Sequence, residues 1–233
     1  DGNCFIAKLN SAGLVTWADE VYETTIGLYQ TTVIRTLKLQ IDQAGNFYIS
    51  GQSVGTADFD PGIGIATLVA DDMTPNVFIA KYDSAFNYLW AKAIGAYSRE
   101  ESALGMAVDA DGSVYAIGTF SQSVDFNPDT GTFIITSTGI EKSLFILKLN
   151  AAGQFVWAKS NANIGGVVSG YNEADIAVDK DKFVYITSAF WDSTDLDPGP
   201  GTQIFHTTSN RPPMYIQKLD AQGNFVWAET ATG

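Results

Sequence analysis

The chain repeats itself, and no other feature limits its fold as tightly. The segment NCFIAKLNSAGLVTWADE from Asn3 returns as NVFIAKYDSAFNYLWAKA from Asn76, SLFILKLNAAGQFVWAKS from Ser143 and PMYIQKLDAQGNFVWAET from Pro213. Trp17, Trp90, Trp157 and Trp227 mark the copies, as do Lys8, Lys81, Lys148 and Lys218, and both series advance by 73, 67 and 70 residues. A second module begins at Leu37, Leu104 and Ala174 and advances by 67 and 70. With the first module called X and the second Y, the chain reads X-Y-X-Y-X-Y-X.

Both modules carry strand signals: short β-branched and aromatic runs bounded by Asn, Asp and Gly, with no sustained helical spacing of apolar residues. X reads as a hairpin, Phe5–Leu9 and Val15–Ala18 joined through Asn10-Ser11-Ala12-Gly13, which places Lys8 across from Trp17. The turn Gly recurs as Gly153 and Gly223, where the backbone needs positive φ. Phe86 stands at that position in the second copy, so this hairpin is expected to turn differently, through Asn87. Y reads as a second hairpin, for example Gly105–Asp109 and Val114–Gly118 about Asp111-Gly112. An excursion of about twenty residues follows, with an extra strand near Thr132–Ile135.

Two hairpins per period make four antiparallel strands, and such a sheet repeated around an axis is the blade of a β-propeller. The expected fold is therefore all-β, a β-propeller of four-stranded antiparallel blades with about 70 residues per repeat. A stacked solenoid is the rival architecture. The boundaries are expected at a half-blade over 1–27 and repeats over 28–97, 98–165 and 166–233. Four X modules against three Y modules describe an open arc of about three and a half blades, expected to be a piece of a larger ring.

Composition narrows the chemistry. The 233 residues carry 13 Lys and Arg against 26 Asp and Glu, a formal charge of −13, which disfavours nucleic acid and anionic membranes as partners. No apolar run approaches the roughly 18 residues of a membrane helix, so no insertion is expected. A single Cys and a single His rule out an internal disulfide, a multi-Cys zinc site and any site built on two imidazoles.

The stretches Val108-Asp109 to Gly118 and Phe78-Ile79-Ala80-Lys81 to Trp90 resemble the SBBP-type β-propeller repeats of bacteria, and the similarity runs from Asn3 to Glu229. The Asp-Phe-Asp-Pro-Gly stretch at 58–62 is similar to versions found in large secreted or surface proteins of Bacteroidota-like bacteria. This resemblance implies an extracellular or cell-surface scaffold with an adhesion role and no enzymatic activity. Its partner would be a surface protein or glycan, or flanking propeller blades. Separately, Asp-Ala-x-Gly with Trp four residues on is similar to the tryptophan-docking repeats of quinoprotein dehydrogenases. Those bind a quinone with calcium and often use a vicinal Cys pair, whereas this chain has only Cys4.

The residues offer few chemical candidates. The four repeated Trp read as blade-packing residues, each with a Lys stem alongside, or alternatively as sugar-stacking platforms of a carbohydrate-binding or hydrolytic propeller. The acidic loops place Asp58 with Asp60, Asp125 with Asn127, and Asp195 with Asp197, each pair followed by Pro. Such alternating oxygens are candidate Ca²⁺ ligands, calcium being the one cofactor the residues nominate, or else they cap a tight turn. Cys4 aligns with Val77, Leu144 and Met214 and reads as a packing residue. His206 lacks a counterpart in the other repeats and reads as a surface residue, with no nucleophile-elbow motif to recruit it.

Overall fold

The computed structural model describes residues 4–21, 33–70, 75–95, 101–137, 142–161, 174–190, 193–206 and 212–231, and every regular element among them is a β-strand. The first X module forms the hairpin β1 (Cys4–Leu9) and β2 (Val15–Val21). Its register sets Lys8 against Trp17, with a bulge after Lys8. Each later X joins the preceding Y in a four-stranded antiparallel sheet. The first sheet runs β3 (Val33–Ile41), β4 (Phe47–Val54), β7 (Asn76–Tyr82), β8 (Tyr88–Ile94), and between its two halves the chain makes a small hairpin, β5 (Thr56–Asp58) and β6 (Thr67–Val69). The second runs β9 (Ser102–Val108), β10 (Val114–Phe120), β13 (Ser143–Leu149), β14 (Phe155–Asn161), with the hairpin β11 (Ser123–Asp125) and β12 (Ile134–Thr136). The third runs β15 (Asp175–Val178), β16 (Val184–Ala189), β19 (Met214–Leu219), β20 (Phe225–Ala231), with β17 (Ser193–Asp195) and β18 (Ile204–His206). The excursions thus pair with themselves.

The sheets stack face against face as successive blades of a propeller-like arc, and the hydrophobic cores lie between them. One core joins Ile6 of the first hairpin to Phe47, Ile49, Phe78 and Tyr82 of the first sheet. The next joins Tyr48, Val77 and Ile79 to Met106, Phe145, Leu147 and Leu149, and the third joins Tyr115, Ile117 and Ile146 to Ile176, Ile186, Tyr215 and Leu219. A sheet with a neighbour on both faces needs apolar residues on both. Accordingly β7, β10 and β13 are buried along their whole length, while β16 and β19 alternate between buried and more exposed positions. The leading strands pack in succession, β3 against β9 and β9 against β15, which puts them side by side along the inner edge of the arc.

One turn design closes every blade hairpin. An Asn or Asp side chain at the first turn position accepts from the backbone amides two and four residues on, at Asn10, Asp42, Asp83, Asp109, Asn150, Asp179 and Asp220. The fourth residue sits in the left-handed region, as in a type I turn followed by a bulge. Phe86 corrects the expectation drawn from its sequence. It adopts φ of 67° and donates its amide to the Asp83 carbonyl as the glycines do in their turns, so the hairpin does not turn differently. Its ring stacks on Trp17 at 4.9 Å and on Tyr82 at 4.6 Å, contacts that offset the backbone strain of a non-glycine residue there. Lys182 does the same at φ of 66°, its ammonium paired with Asp111 of the preceding sheet.

Gly153 lacks such latitude, because a Cβ there would lie 2.8 Å from the Trp90 indole. Around Gly13, with φ of 75°, nothing lies within 4 Å of that position. Gly153→Ala is therefore expected to lose roughly 2–3 kcal/mol, from backbone strain plus overpacking, and Gly13→Ala about 1 kcal/mol, from strain alone. Equilibrium denaturation of the two variants checks the difference, which disappears if the indole does not lie under the turn.

Candidate functional site

The residues singled out by the repeat converge on the boundary between blades. Trp90 Nε1 and Lys81 Nζ both donate to the Ala151 carbonyl of the next sheet's X turn, at 3.1 and 3.2 Å. Trp157 Nε1 and Lys148 Nζ do the same to the Ala221 carbonyl, at 3.1 and 3.3 Å. At the first hairpin Lys8 Nζ reaches the Ser84 carbonyl at 3.4 Å, while Trp17 lies against Phe86 instead of donating to that carbonyl. A tyrosine completes the Trp90 and Trp157 sets, whereas the first hairpin's Trp17 meets Phe47 edge-on. Tyr48 meets Trp90 edge-on and Tyr115 meets Trp157 likewise, with Lys81 and Lys148 over the phenol rings at 4.9 and 4.8 Å. Burial holds both ammonium groups below their ordinary pKa, partly offset by Asp42 for Lys81 and by Asp109 for Lys148. Tyr48 also ties three elements together: its hydroxyl bonds Asp42 at 3.0 Å and the Gly112 carbonyl of the following sheet at 3.3 Å.

In the third sheet the same set stands open. Trp227 packs edge-on against Tyr185, and Lys218 lies over Phe183 and Tyr185, but no turn carbonyl among the described residues meets them. Three of the repeated indoles are thus covered by the next turn, and one is exposed.

The acidic loops lie between the strands of the small hairpins, and their first oxygens face their own backbone. Asp58 Oδ1 accepts from the amides of Asp60 and Ala66, Asp125 Oδ1 from Asn127 and Phe133, and Asp195 Oδ1 from Asp197 and Gln203. The second Asx of each pair accepts from the residue two positions on, so Asp60 holds Gly62, Asn127 holds Asp129 and Asp197 holds Gly199. Gly64 and Gly201 are small for a reason: a Cβ on either would fall about 2 Å from the Oδ2 of Asp60 or Asp197. The residue between the paired oxygens anchors the loop, as Phe59, Phe126 and Leu196 are all fully buried. Among the described residues no three His, Cys, Asp or Glu side chains come together as a metal group.

The remaining candidates are scattered. His206 is exposed on β18 and its Nδ1 lies 3.0 Å from Ser193 Oγ across the small hairpin, the place where Ser123 and Thr136 share a hydrogen bond one blade earlier. That is a cross-strand polar pair. Cys4 belongs to β1, and its side chain lies outside the described residues. Sequence reasoning missed a cleft of about 340 Å³ where the leading strands meet, lined by Lys38, Leu104, Asp175 and Met214 among others, with Lys38 Nζ 3.4 Å from Asp175 Oδ1. Only the register between blades brings these two charges together, so no local signal could have shown it.

Among known proteins, a stretch of 120 residues, half of this chain, is 32% identical to the uncharacterized WD repeat-containing protein L264 of Acanthamoeba polyphaga mimivirus. The chain covers 8% of that protein's length. WD repeats are propeller blades, so the match and the sheet architecture agree on a β-propeller-like repeat protein. No known protein-family profile matches the chain, and the SBBP likeness rests on the motifs quoted above.

Two outcomes test the polar design. Replacing Asp58 by Ala strips two amides of their acceptor and is expected to cost roughly 1–2 kcal/mol. The loss should be equal with added calcium and with chelator; a loss seen only in calcium would make the loop a metal site. The second outcome is acid sensitivity. Hydrogen bonds from the Asn87 side chain and amide hold Asp83 below the ordinary aspartate range, whereas Asp42 and Asp220 are pushed up by burial and brought below it by bonds from Asn46 and Asn224 respectively. The native state therefore binds fewer protons than the unfolded chain. Its stability from these groups is complete above about pH 4 and falls as pH drops through the lowered native values. Asp83→Asn with Asp220→Asn, which copy Asn10 and Asn150, should flatten the acid limb of a stability-against-pH curve; an unchanged limb would place the titration elsewhere.

Proposed function

We propose that the chain is a non-enzymatic interaction scaffold, part of a secreted or cell-surface protein, whose partners meet the rim of small hairpins. One observation carries this reading. The residues that recur in each repeat are occupied in joining blades, whereas the small hairpins expose apolar side chains that differ between repeats: Ile63 and Ile65 in the first, Phe133 and Ile134 in the second, Ile204 in the third. Exposed aliphatic and aromatic groups set among capped acids are the surface composition of a protein contact. Propeller repeats supply a rigid frame for such loops, with function residing in what the loops present.

The SBBP likeness supports an extracellular location and the adhesion role, through a surface protein or a glycan. For glycan stacking, the covered indoles of Trp90 and Trp157 weigh against the repeated Trp as sugar platforms, which leaves the rim and favours a protein.

The reading is tested by display and by substitution. On intact cells of the source organism, an epitope-tagged protein should be cut by added protease; protection until lysis would refute a surface location. Ile63→Asp with Ile65→Asp should leave the melting temperature unchanged to within about 0.5 kcal/mol of stability, because both side chains are exposed. The same pair should abolish adhesion to the partner surface by purified protein. Adhesion that survives this and the matching change at Phe133 and Ile134 would move the contact off the rim.

A further inference from the structure

The boundaries between the three sheets share one polar joint, so that joint cannot tell one blade from another. The Ala151 carbonyl on Trp90 and Lys81 and the Ala221 carbonyl on Trp157 and Lys148 are equivalent contacts, and either turn would suit either pair of donors. At the boundary of the first and second sheets the further polar contacts end mostly on main chain. Gln40 Nε2 donates to the Met106 carbonyl at 3.1 Å, and Gln52 Nε2 donates to the Glu101 carbonyl at 2.7 Å and to Ser102 Oγ at 3.3 Å. Main-chain carbonyls are common to all leading strands. A chain of similar modules therefore needs another feature to keep its blades in order, because a blade that stacks on the wrong neighbour, or on a blade of another copy, is a characteristic failure of repeat proteins.

One pair of side chains changes character between the two boundaries. Ile94 at the end of β8 and Leu147 of β13 are essentially fully buried in the apolar core between the first and second sheets. One repeat later the equivalent positions hold Asn161 of β14 and Gln217 of β19, and both are fully buried where the second sheet meets the third. Their amides pair reciprocally. Asn161 Nδ2 donates to Gln217 Oε1 at 2.9 Å, and Gln217 Nε2 donates to Asn161 Oδ1 at 3.2 Å. Gln217 Nε2 also donates to the Leu196 carbonyl, and Asn161 Nδ2 to the Tyr215 hydroxyl at 3.4 Å. A carbonyl can only accept, so Leu196 draws the Gln217 nitrogen towards itself and thereby fixes the orientation of both amides. The Lys182 to Asp111 ion pair is also particular to this boundary, but it is exposed and screened by solvent.

We propose that Asn161 and Gln217 are the key that fixes blade order, matching the third sheet to the second and rejecting the apolar faces of the earlier boundary. If the first sheet stacked on the third and skipped the second, Gln217 would face Ile94 in place of its partner amide. If the second sheet stacked on the second sheet of another copy, Asn161 would face Leu147. Either mismatch buries amide groups without partners, a penalty that neither the matched apolar pair nor the matched amide pair incurs. A buried polar pair adds little net stability over an apolar pair of similar size, so its effect lies in this asymmetry. The key lies between two sheets that are both present in the chain, and it is independent of the rim contact proposed above.

Variants of the whole chain test this. Asn161→Ile copies Ile94 and Gln217→Leu copies Leu147, so each change alone leaves one buried amide unpaired, and the double variant reproduces the earlier boundary. In equilibrium denaturation each single change is expected to lower the folding equilibrium constant at least tenfold. The double variant should recover most of that loss, a coupling that independent sites would not show. If a single variant fails to fold, a folded double variant still shows the coupling, and an unfolded one overturns the proposal. Refolding then separates a key from a pair that only packs. Diluted out of denaturant at about 50 μM and followed by size-exclusion chromatography, the wild type should return to the size distribution it had before unfolding. The double variant, as stable but without the key, should leave a several-fold larger fraction as exchanged dimers and higher oligomers. Additive single effects, or a double variant that misassembles no more than the wild type, would overturn the proposal.

Discussion

A carbonyl shared between an indole and an ammonium joins one blade to the next, and much of the architecture follows from it. Trp90 and Lys81 can both reach Ala151 only because the bulge after each lysine sets them across from each other at the end of their hairpin. The turn can approach the ring because its fourth residue carries no side chain at Gly153 and Gly223. The lysine can be buried because a tyrosine ring lies beneath it and the carbonyl lies ahead of it. A buried ammonium with one carbonyl and one π face is held at moderate electrostatic cost, which its lowered pKa registers.

The first boundary shows how far this arrangement tolerates change. Phe86 fills the space that glycine leaves elsewhere, and Trp17 responds by stacking on it while Lys8 keeps its bond to Ser84. Ring-on-ring contact replaces ring-on-backbone contact, and the hairpin keeps its shape. The rule that glycine belongs at a left-handed position predicted a different turn because it weighs the local backbone cost alone. The compensating partner lies 69 residues away and invisible to a local reading, since the separation from Trp17 to Phe86 is one repeat less four residues.

The acidic loops illustrate the opposite case, in which local chemistry supplied two readings and geometry organised both sets of oxygens. Alternating Asp and Asn before Pro serve equally well to gather a cation or to cap a turn. In the folded chain Asp58, Asp125 and Asp195 each close an eight-residue loop through their own amides, and Phe59, Phe126 and Leu196 pin it to the blade. Which side chains stay outside these loops then decides the character of the rim.

Strand positions, hairpin pairing, the four-stranded unit and the Lys-to-Trp register were all legible in the chain, because each depends on residues within a single repeat and recurs often enough to be recognised. The coupling of Lys38 to Asp175, the covering of Trp90 and Trp157, the exposure of Trp227 and the cleft along the inner edge were not. Those depend on partners some sixty residues or more away, in another blade, and similar modules carry similar letters whether or not a neighbour covers them. Tertiary structure alone distinguishes an inner blade from an outer one, because burial belongs to the stack and not to the segment.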